Sequence, residues 1–130
     1  MSRIVLFVII GMFSTMLGAV EFKPYPSAKI TKEQWLSYYQ DVSTKHKSSV
    51  KIVKEQYLEI YSDEENTIMI AFTQKGHPAH PAWVSRMPVE KDGVVNIRTI
   101  GYFAGDEPPF AMLYKQYLES NEKVKEHINQ

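Results

Sequence analysis

Between residues 83 and 103, two β-rich runs meet at Asp92-Gly93. An aspartate–glycine pair accepts the positive φ angles of a two-residue hairpin turn, and such a turn leaves the two strands no freedom of register. It sets Trp83 opposite Tyr102, Ser85 opposite Ile100 and Met87 opposite Arg98. Facing residues share a sheet face, so the dipeptide predicts which side chains are neighbours before any fold is assumed. Pro88 cannot donate a ladder hydrogen bond, so the strand over residues 83–89 is expected at an edge or with a bulge.

Upstream of the hairpin the chain also reads as strands. Residues 50–61 are rich in β-branched and aromatic side chains. Residues 62–66 (SDEEN) are a polar turn, and residues 67–73 alternate, with Ile68, Ile70 and Phe72 on one side. Asp63-Glu64-Glu65 lacks the spaced ligands of a calcium loop and is expected to be a solvated turn. Helices flank this region. Thr31 and Gln34 form a capping box, and Ile30 with Trp35 the hydrophobic staple outside and inside it. Trp35, Leu36, Tyr39, Val42 and His46 then recur at helical spacing, which predicts a helix over about 32–47. After Gly105, Asp106 is an N-cap and Pro108-Pro109 suit a first turn. Phe110, Leu113, Tyr114, Tyr117 and Leu118 make an apolar stripe. Val124 and Ile128 would extend it, but the charged tail is expected to fray. The expected fold is α+β: an N-terminal helix, a four-stranded antiparallel meander and a C-terminal helix, with both helices on one sheet face.

The first nineteen residues do not belong to that domain. Arg3 is followed by an almost unbroken apolar run over residues 4–13, and Leu17-Gly18-Ala19 supplies a small-residue exit. These are the parts of a secretory signal peptide, and the run is too short to span a bilayer as a helix. Residues 1–19 are therefore expected to be a cleaved signal peptide and residues 20–130 one small domain, with no stable membrane anchor after cleavage. The chain has no cysteine. Small proteins of the eukaryotic secretory route are often disulfide-stapled, so a cysteine-free exported domain reads as bacterial and, with its short singly charged start, as periplasmic rather than extracellular. Without Arg3 the lysines and arginines number 14 against 15 acidic residues. That balance gives no electrostatic reason to expect nucleic acid.

Candidate sites are few. In Gly76-His77-Pro78-Ala79-His80-Pro81-Ala82-Trp83, each histidine precedes a proline, which favours extended backbone. A polyproline-II path turns once per three residues, so His77 and His80 are expected on one side of a stiff loop, where Zn or Cu could use both. Two ligands are fewer than a protein zinc site supplies, and a plain structural loop is the bland alternative. Arg98 shares a face with Trp83, Met87, Ile100 and Tyr102. There it can stack on rings and clamp an anion, unless that face is simply solvent. Eight tyrosines suit a contact surface, although a tyrosine at a core margin is the ordinary case.

No nucleophile elbow, zinc-protease helix or phosphate loop is present, so no catalytic residue is assigned and no cofactor is expected. The favoured reading is a small exported, non-catalytic binding or interaction protein of inhibitor or immunity type. It would contact an envelope or periplasmic protein through the loop over residues 76–83 and the adjacent face, with His77, His80, Trp83, Arg98 and Tyr102 as binding residues. Two other classes stay open. One is a periplasmic Zn- or Cu-binding protein that uses His77 and His80 as ligands. The other is an enzyme of unrecognised type, which a pocket gathering one of these histidines with a carboxylate and Arg98 would favour. Oligomeric state is not legible from the sequence.

Overall fold

A computed structural model describes residues 27–129. The expected signal peptide and the lead-in to Pro26 lie outside the described residues. The fold is α+β: a five-stranded antiparallel sheet and two helices, in the order α1 (Lys32–Lys45), β1 (Lys51–Val53), β2 (Leu58–Asp63), β3 (Ile68–Thr73), β4 (Ala82–Lys91), β5 (Val94–Phe103) and α2 (Glu107–Ile128). The strands follow one another across the sheet as a meander.

The hairpin register is the expected one. Trp83 faces Tyr102, Ser85 faces Ile100 and Met87 faces Arg98. Asp92 and Gly93 have φ of 55° and 80°, the paired positive values of a type I′ turn. Although β4 is an interior strand, β3 pairs with it only from Trp83 to Arg86. Pro88 therefore sits where β4 has β5 as its sole strand neighbour, which resolves the conflict between proline and a central strand.

At the N-terminus of α1, the Thr31 hydroxyl accepts from the Gln34 N–H at 3.0 Å, and the Gln34 side-chain carbonyl accepts from the Thr31 N–H at 2.9 Å. This reciprocal cap satisfies two otherwise orphaned donors. Ile30 and Trp35 are buried in the same core cluster.

Three expectations are corrected. The sheet has five strands, not four, because residues 50–61 do not form one strand. Lys54–Gln56 makes a single 3-10 turn and Tyr57 takes a left-handed φ of 55°. The short β1 thus folds back on β2, pairing Val53 with Leu58. Lys54, Glu55 and Gln56 are all exposed, and this polar interruption is where the run breaks.

Nor do the helices share a face. Trp35, Tyr38 and Val42 of α1 pack with Tyr61, Ile70, Phe72, Trp83 and Tyr102. Phe110 and Leu113 of α2 pack with Ala82, Val84 and Phe103. Trp83 lies between Ala82 and Val84 in sequence, and side chains alternate across a strand, so the two helices cover opposite faces. The reason is that β3 and β4 are buried on both sides: Ile70 to Thr73 and Ala82 to Ser85 are continuously buried. A strand without a polar face needs cover on each side. Gly101 makes room for that cover, since a Cβ there would stand 2.8 Å from Phe110 Cζ.

The tail does not fray either. α2 runs to Ile128, and the Asn129 amide beyond it pairs with the Val95 backbone: its Oδ1 accepts from N–H at 3.1 Å and its Nδ2 donates to C=O at 3.0 Å.

Candidate functional site

The side chains that converge do so on the α1 face, between α1, the β1–β2 hairpin and the loop after β3. Glu59 of β2 lies opposite Phe72 of β3 and points toward α1. Its Oε2 accepts from the Tyr39 hydroxyl at 2.7 Å and the Tyr61 hydroxyl at 2.8 Å; its Oε1 accepts from Gln74 Nε2 at 3.2 Å. These donors come from a helix, a strand and a loop, so the carboxylate ties three elements together. Around it opens a cleft of about 570 Å³, walled by Trp35, Tyr39 and Tyr57, with His80, Lys54 and Lys75 also lining it. Trp35 stacks flat on Tyr39, ring centroids 5.2 Å apart, and meets the His80 imidazole edge-on at 5.1 Å.

Tyr57 joins the two loops that form the mouth. Its carbonyl accepts from the Gln74 N–H at 2.7 Å, and its ring lies over Gly76, where a Cβ would stand 3.0 Å from the ring carbons. Gly76 has φ of 109°, so a side chain there would strain the backbone and push the Tyr57 ring aside.

The loop itself differs from the expected polyproline-II path. His77 N–H donates to the Gln74 carbonyl and His80 N–H to the His77 carbonyl, each at 3.0 Å. Two successive turns satisfy donors that an extended path would leave to water. The His77 Nδ1 accepts from the Ala79 N–H at 2.9 Å. In a neutral imidazole the other nitrogen then carries the proton, so the one ring lone pair of His77 is already engaged within its own loop. His80 Nδ1 lies 2.8 Å from Thr73 Oγ1, which also accepts from the Ala82 N–H at 2.9 Å and lies 3.1 Å from the Ala82 carbonyl. When the threonine proton goes to that carbonyl, His80 donates through Nδ1 and keeps Nε2 as an acceptor. On that tautomer the pair offers a metal one free ring nitrogen, that of His80, rather than two. Among the described residues no group of three or more His, Cys, Asp or Glu side chains is placed to hold a metal ion.

Electrostatics sharpen this picture. Burial raises the Glu59 carboxyl, but the hydrogen bonds from Tyr39, Tyr61 and Gln74 outweigh it and hold the group below the usual range. Burial and the Glu59 charge push both tyrosine hydroxyls up. Burial lowers His77, with His80 beside it adding to the effect; burial also lowers His80, partly offset by Thr73. At neutral pH the cleft thus holds a fixed carboxylate and a neutral imidazole, with Lys54 and Lys75 also lining it.

A pH dependence follows. For His77 and His80 the folded pKa lies below the ordinary 6.5, so the unfolded chain binds more protons between that lowered value and 6.5. Stability is therefore complete above 6.5 and declines as pH falls through the window. Glu59 acts further down, its contribution being lost as pH falls from about 4.5 through its lowered folded value. Urea unfolding should show a midpoint that drops between about pH 7 and pH 5, and less so in the His77→Gln/His80→Gln double variant. A midpoint level across that range in the parent protein would contradict the burial argument.

The other expected binding residues are placed differently. Trp83 is 0% exposed and Tyr102 lies with it in the α1-side core, so neither presents the contact surface expected of it. Arg98 shares their face, as expected, but lies exposed, further along β5 and apart from the cleft lining. The cleft therefore gathers His80 with a carboxylate and without Arg98. Glu59 was not singled out by the sequence reading, although a signal was present. In Leu58-Glu59-Ile60-Tyr61 a carboxylate falls on the same strand face as Tyr61, and an acid on an inward-facing position needs donors.

Neither models of known protein families, nor curated proteins, nor solved structures match this chain. No described helix is long and apolar enough to cross a membrane.

Proposed function

We propose that this chain is a small exported, non-catalytic binding protein of the bacterial periplasm, and that the Glu59–His80 cleft receives a group of an envelope protein partner. The observation that carries the reading is the anchoring of Glu59. Three donors drawn from three elements pre-orient its carboxylate in a cleft of the size that ligands and anchor side chains fill. Fixed polar groups beside aromatic walls recognise a partner without reorganising.

The same bonds argue against catalysis by Glu59. A carboxyl held below its usual range is no general acid at neutral pH, and three accepted hydrogen bonds weaken it as a base. The histidine–proline loop keeps a place in this reading as the wall that positions His80 and Gln74. Trp83 and Tyr102 instead support the fold beneath it.

Export and binding are tested together. Expressed in a Gram-negative host, the protein should be recovered from the periplasm with Val20 at its N-terminus. Tyr57 is 49% exposed, so Tyr57→Ala alters the cleft mouth without opening the core. Tyr57→Ala and Lys75→Glu should each weaken partner capture by about tenfold or more, the scale of one interface anchor. Lys115→Glu, on the exposed side of α2, should leave capture unchanged. Full capture by both cleft variants would place the contact elsewhere on the molecule.

A further inference from the structure

Where β3 parts from β4 beyond the Met69–Arg86 pair, a second concavity of about 460 Å³ lies between the β2–β3 turn, the middle of the β4–β5 hairpin and the last turns of α2. Its walls are apolar: Met69, Met87, Ile97, Val124 and Ile128 line it. Met69, Val124 and Ile128 are 42%, 39% and 47% exposed, so nothing in the described residues covers them fully. The helical wall is not a loose end. Asn129 ties the terminus of α2 to Val95 through both amide groups, which keeps Val124 and Ile128 in place over the sheet.

Arg86 also lines this groove, and it is unusual in its company. Its guanidinium sits 4.7 Å from the centre of the Tyr117 ring, and its Nη1 donates to Asn121 Oδ1 at 3.2 Å. Asn121, 3% exposed, is itself held by donating to Thr99 Oγ1 at 2.6 Å. Each of these partners is neutral. Among the described residues no carboxylate lies within ion-pair distance of Arg86. A partly buried cation fixed by an amide and a ring has lost hydration without gaining a counter-charge, and four of its five donors are not spent on Asn121.

We infer that this groove binds a free fatty acid, with Arg86 receiving the carboxylate head and the methionine- and isoleucine-lined walls receiving the chain. The fit is one of charge and polarity: a single anion at one point and apolar surface beyond it match a single-chain amphiphile with a carboxylate head. A paired guanidinium–carboxylate contact supplies two parallel hydrogen bonds as well as charge, and methionine walls adapt to a flexible chain. Two other acids border the groove. The Asp63 carboxylate is already engaged, its two oxygens accepting from the Asn66 backbone and side chain. Glu64 is exposed on the turn and opposes an anionic head, so Glu64→Gln should strengthen binding.

The test uses the methionine methyl groups of the full protein, labelled with carbon-13 and followed by NMR as laurate is added below its micelle-forming concentration. Met69 and Met87 should shift together and saturate at one equivalent, while Met112, outside the groove and 66% exposed, stays in place. Dodecanol, with the same chain and no charge, should bind about tenfold more weakly or worse, the margin of a charge-assisted hydrogen bond. Arg86→Met should abolish that difference. Should Arg86→Met disturb Asn121 and the fold, Val124→Asp at the exposed wall should remove binding of both compounds while the protein stays folded. Equal affinity for laurate and dodecanol overturns the inference, as does a parallel shift of Met112. So do binding to anionic vesicles without binding to monomeric laurate, and methyl shifts that track protein concentration without ligand, which would make a second copy of the chain the occupant.

Discussion

Replacing Trp83 with alanine should lower the stability of the domain by about 3–5 kcal/mol, the range for removing a fully buried large aromatic. The indole is 0% exposed and stands at the centre of the α1-side core. Its ring centroid lies 4.5 Å from that of Tyr38, 5.0 Å from Tyr102 and 6.4 Å from Phe72. Truncation removes apolar burial and leaves a cavity between a helix and three strands, which the rigid aromatic neighbours cannot fill by small shifts. Small domains hold only about 5–15 kcal/mol in total, so much of the native population is lost. Guanidinium unfolding of the parent and variant measures the difference. A loss below about 1 kcal/mol, together with weakened partner capture, would instead return Trp83 to the contact surface that its place beside the histidine–proline loop suggested.

Phe110→Ala should be nearly as severe, again about 3–5 kcal/mol, for a reason specific to the second face. Phe110 is buried, stacks on Phe103 with centroids 4.7 Å apart, and lies over the bare backbone of Gly101. It is where α2 keys into the sheet. The complementary change, Gly101→Ala, puts a methyl into the space of the Phe110 ring and should cost about 1–3 kcal/mol by overpacking. These two substitutions are in contact and should be strongly non-additive. The Gly101→Ala/Phe110→Ala double variant should lose less than the sum, since the added methyl fills part of the vacated volume. A small effect of Phe110→Ala alone would mean that α2 does not seal this face.

Several elements were legible because their determinants are local. The capping box at Thr31 and Gln34 is a four-residue pattern whose partners are fixed by helix geometry. The register from Trp83–Tyr102 to Met87–Arg98 follows from a two-residue turn by counting. The apolar stripe from Phe110 to Tyr117 needs only the helical period, although Leu118, expected to belong to it, is left 43% exposed. By contrast, residues 50–61 read as one strand because composition averages over Lys54, Glu55 and Gln56, where the backbone turns and β1 folds back. The frayed tail was expected from charge alone, whereas Asn129 meets Val95 across 34 residues, a contact no local pattern announces.

The candidate site was legible only in part, for the same reason. His80 and the loop that carries it stood out through the repeated His-Pro step. Glu59, the group around which the site is built, did not, because its three donors lie at Tyr39, Tyr61 and Gln74. Arg98 was assigned to the right face but lies away from the cleft. The residue now given a ligand-binding role on the opposite face, Arg86, carried no sequence signal at all. What marks it is the neutrality of Asn121 and Tyr117 beside it.

From the sequence alone come the features written in nearest neighbours and periodicity: a capped first helix, a hairpin with one register and an amphipathic last helix. Tertiary structure alone decided that the helices lie on opposite faces, that Trp83 and Tyr102 are core, and that a carboxylate held by three donors lines the same cleft as His80. Those outcomes depend on which apolar surfaces remain uncovered once the sheet forms, and on polar groups meeting from distant segments. Both are settled by burial, which belongs to the whole chain rather than to any stretch of it.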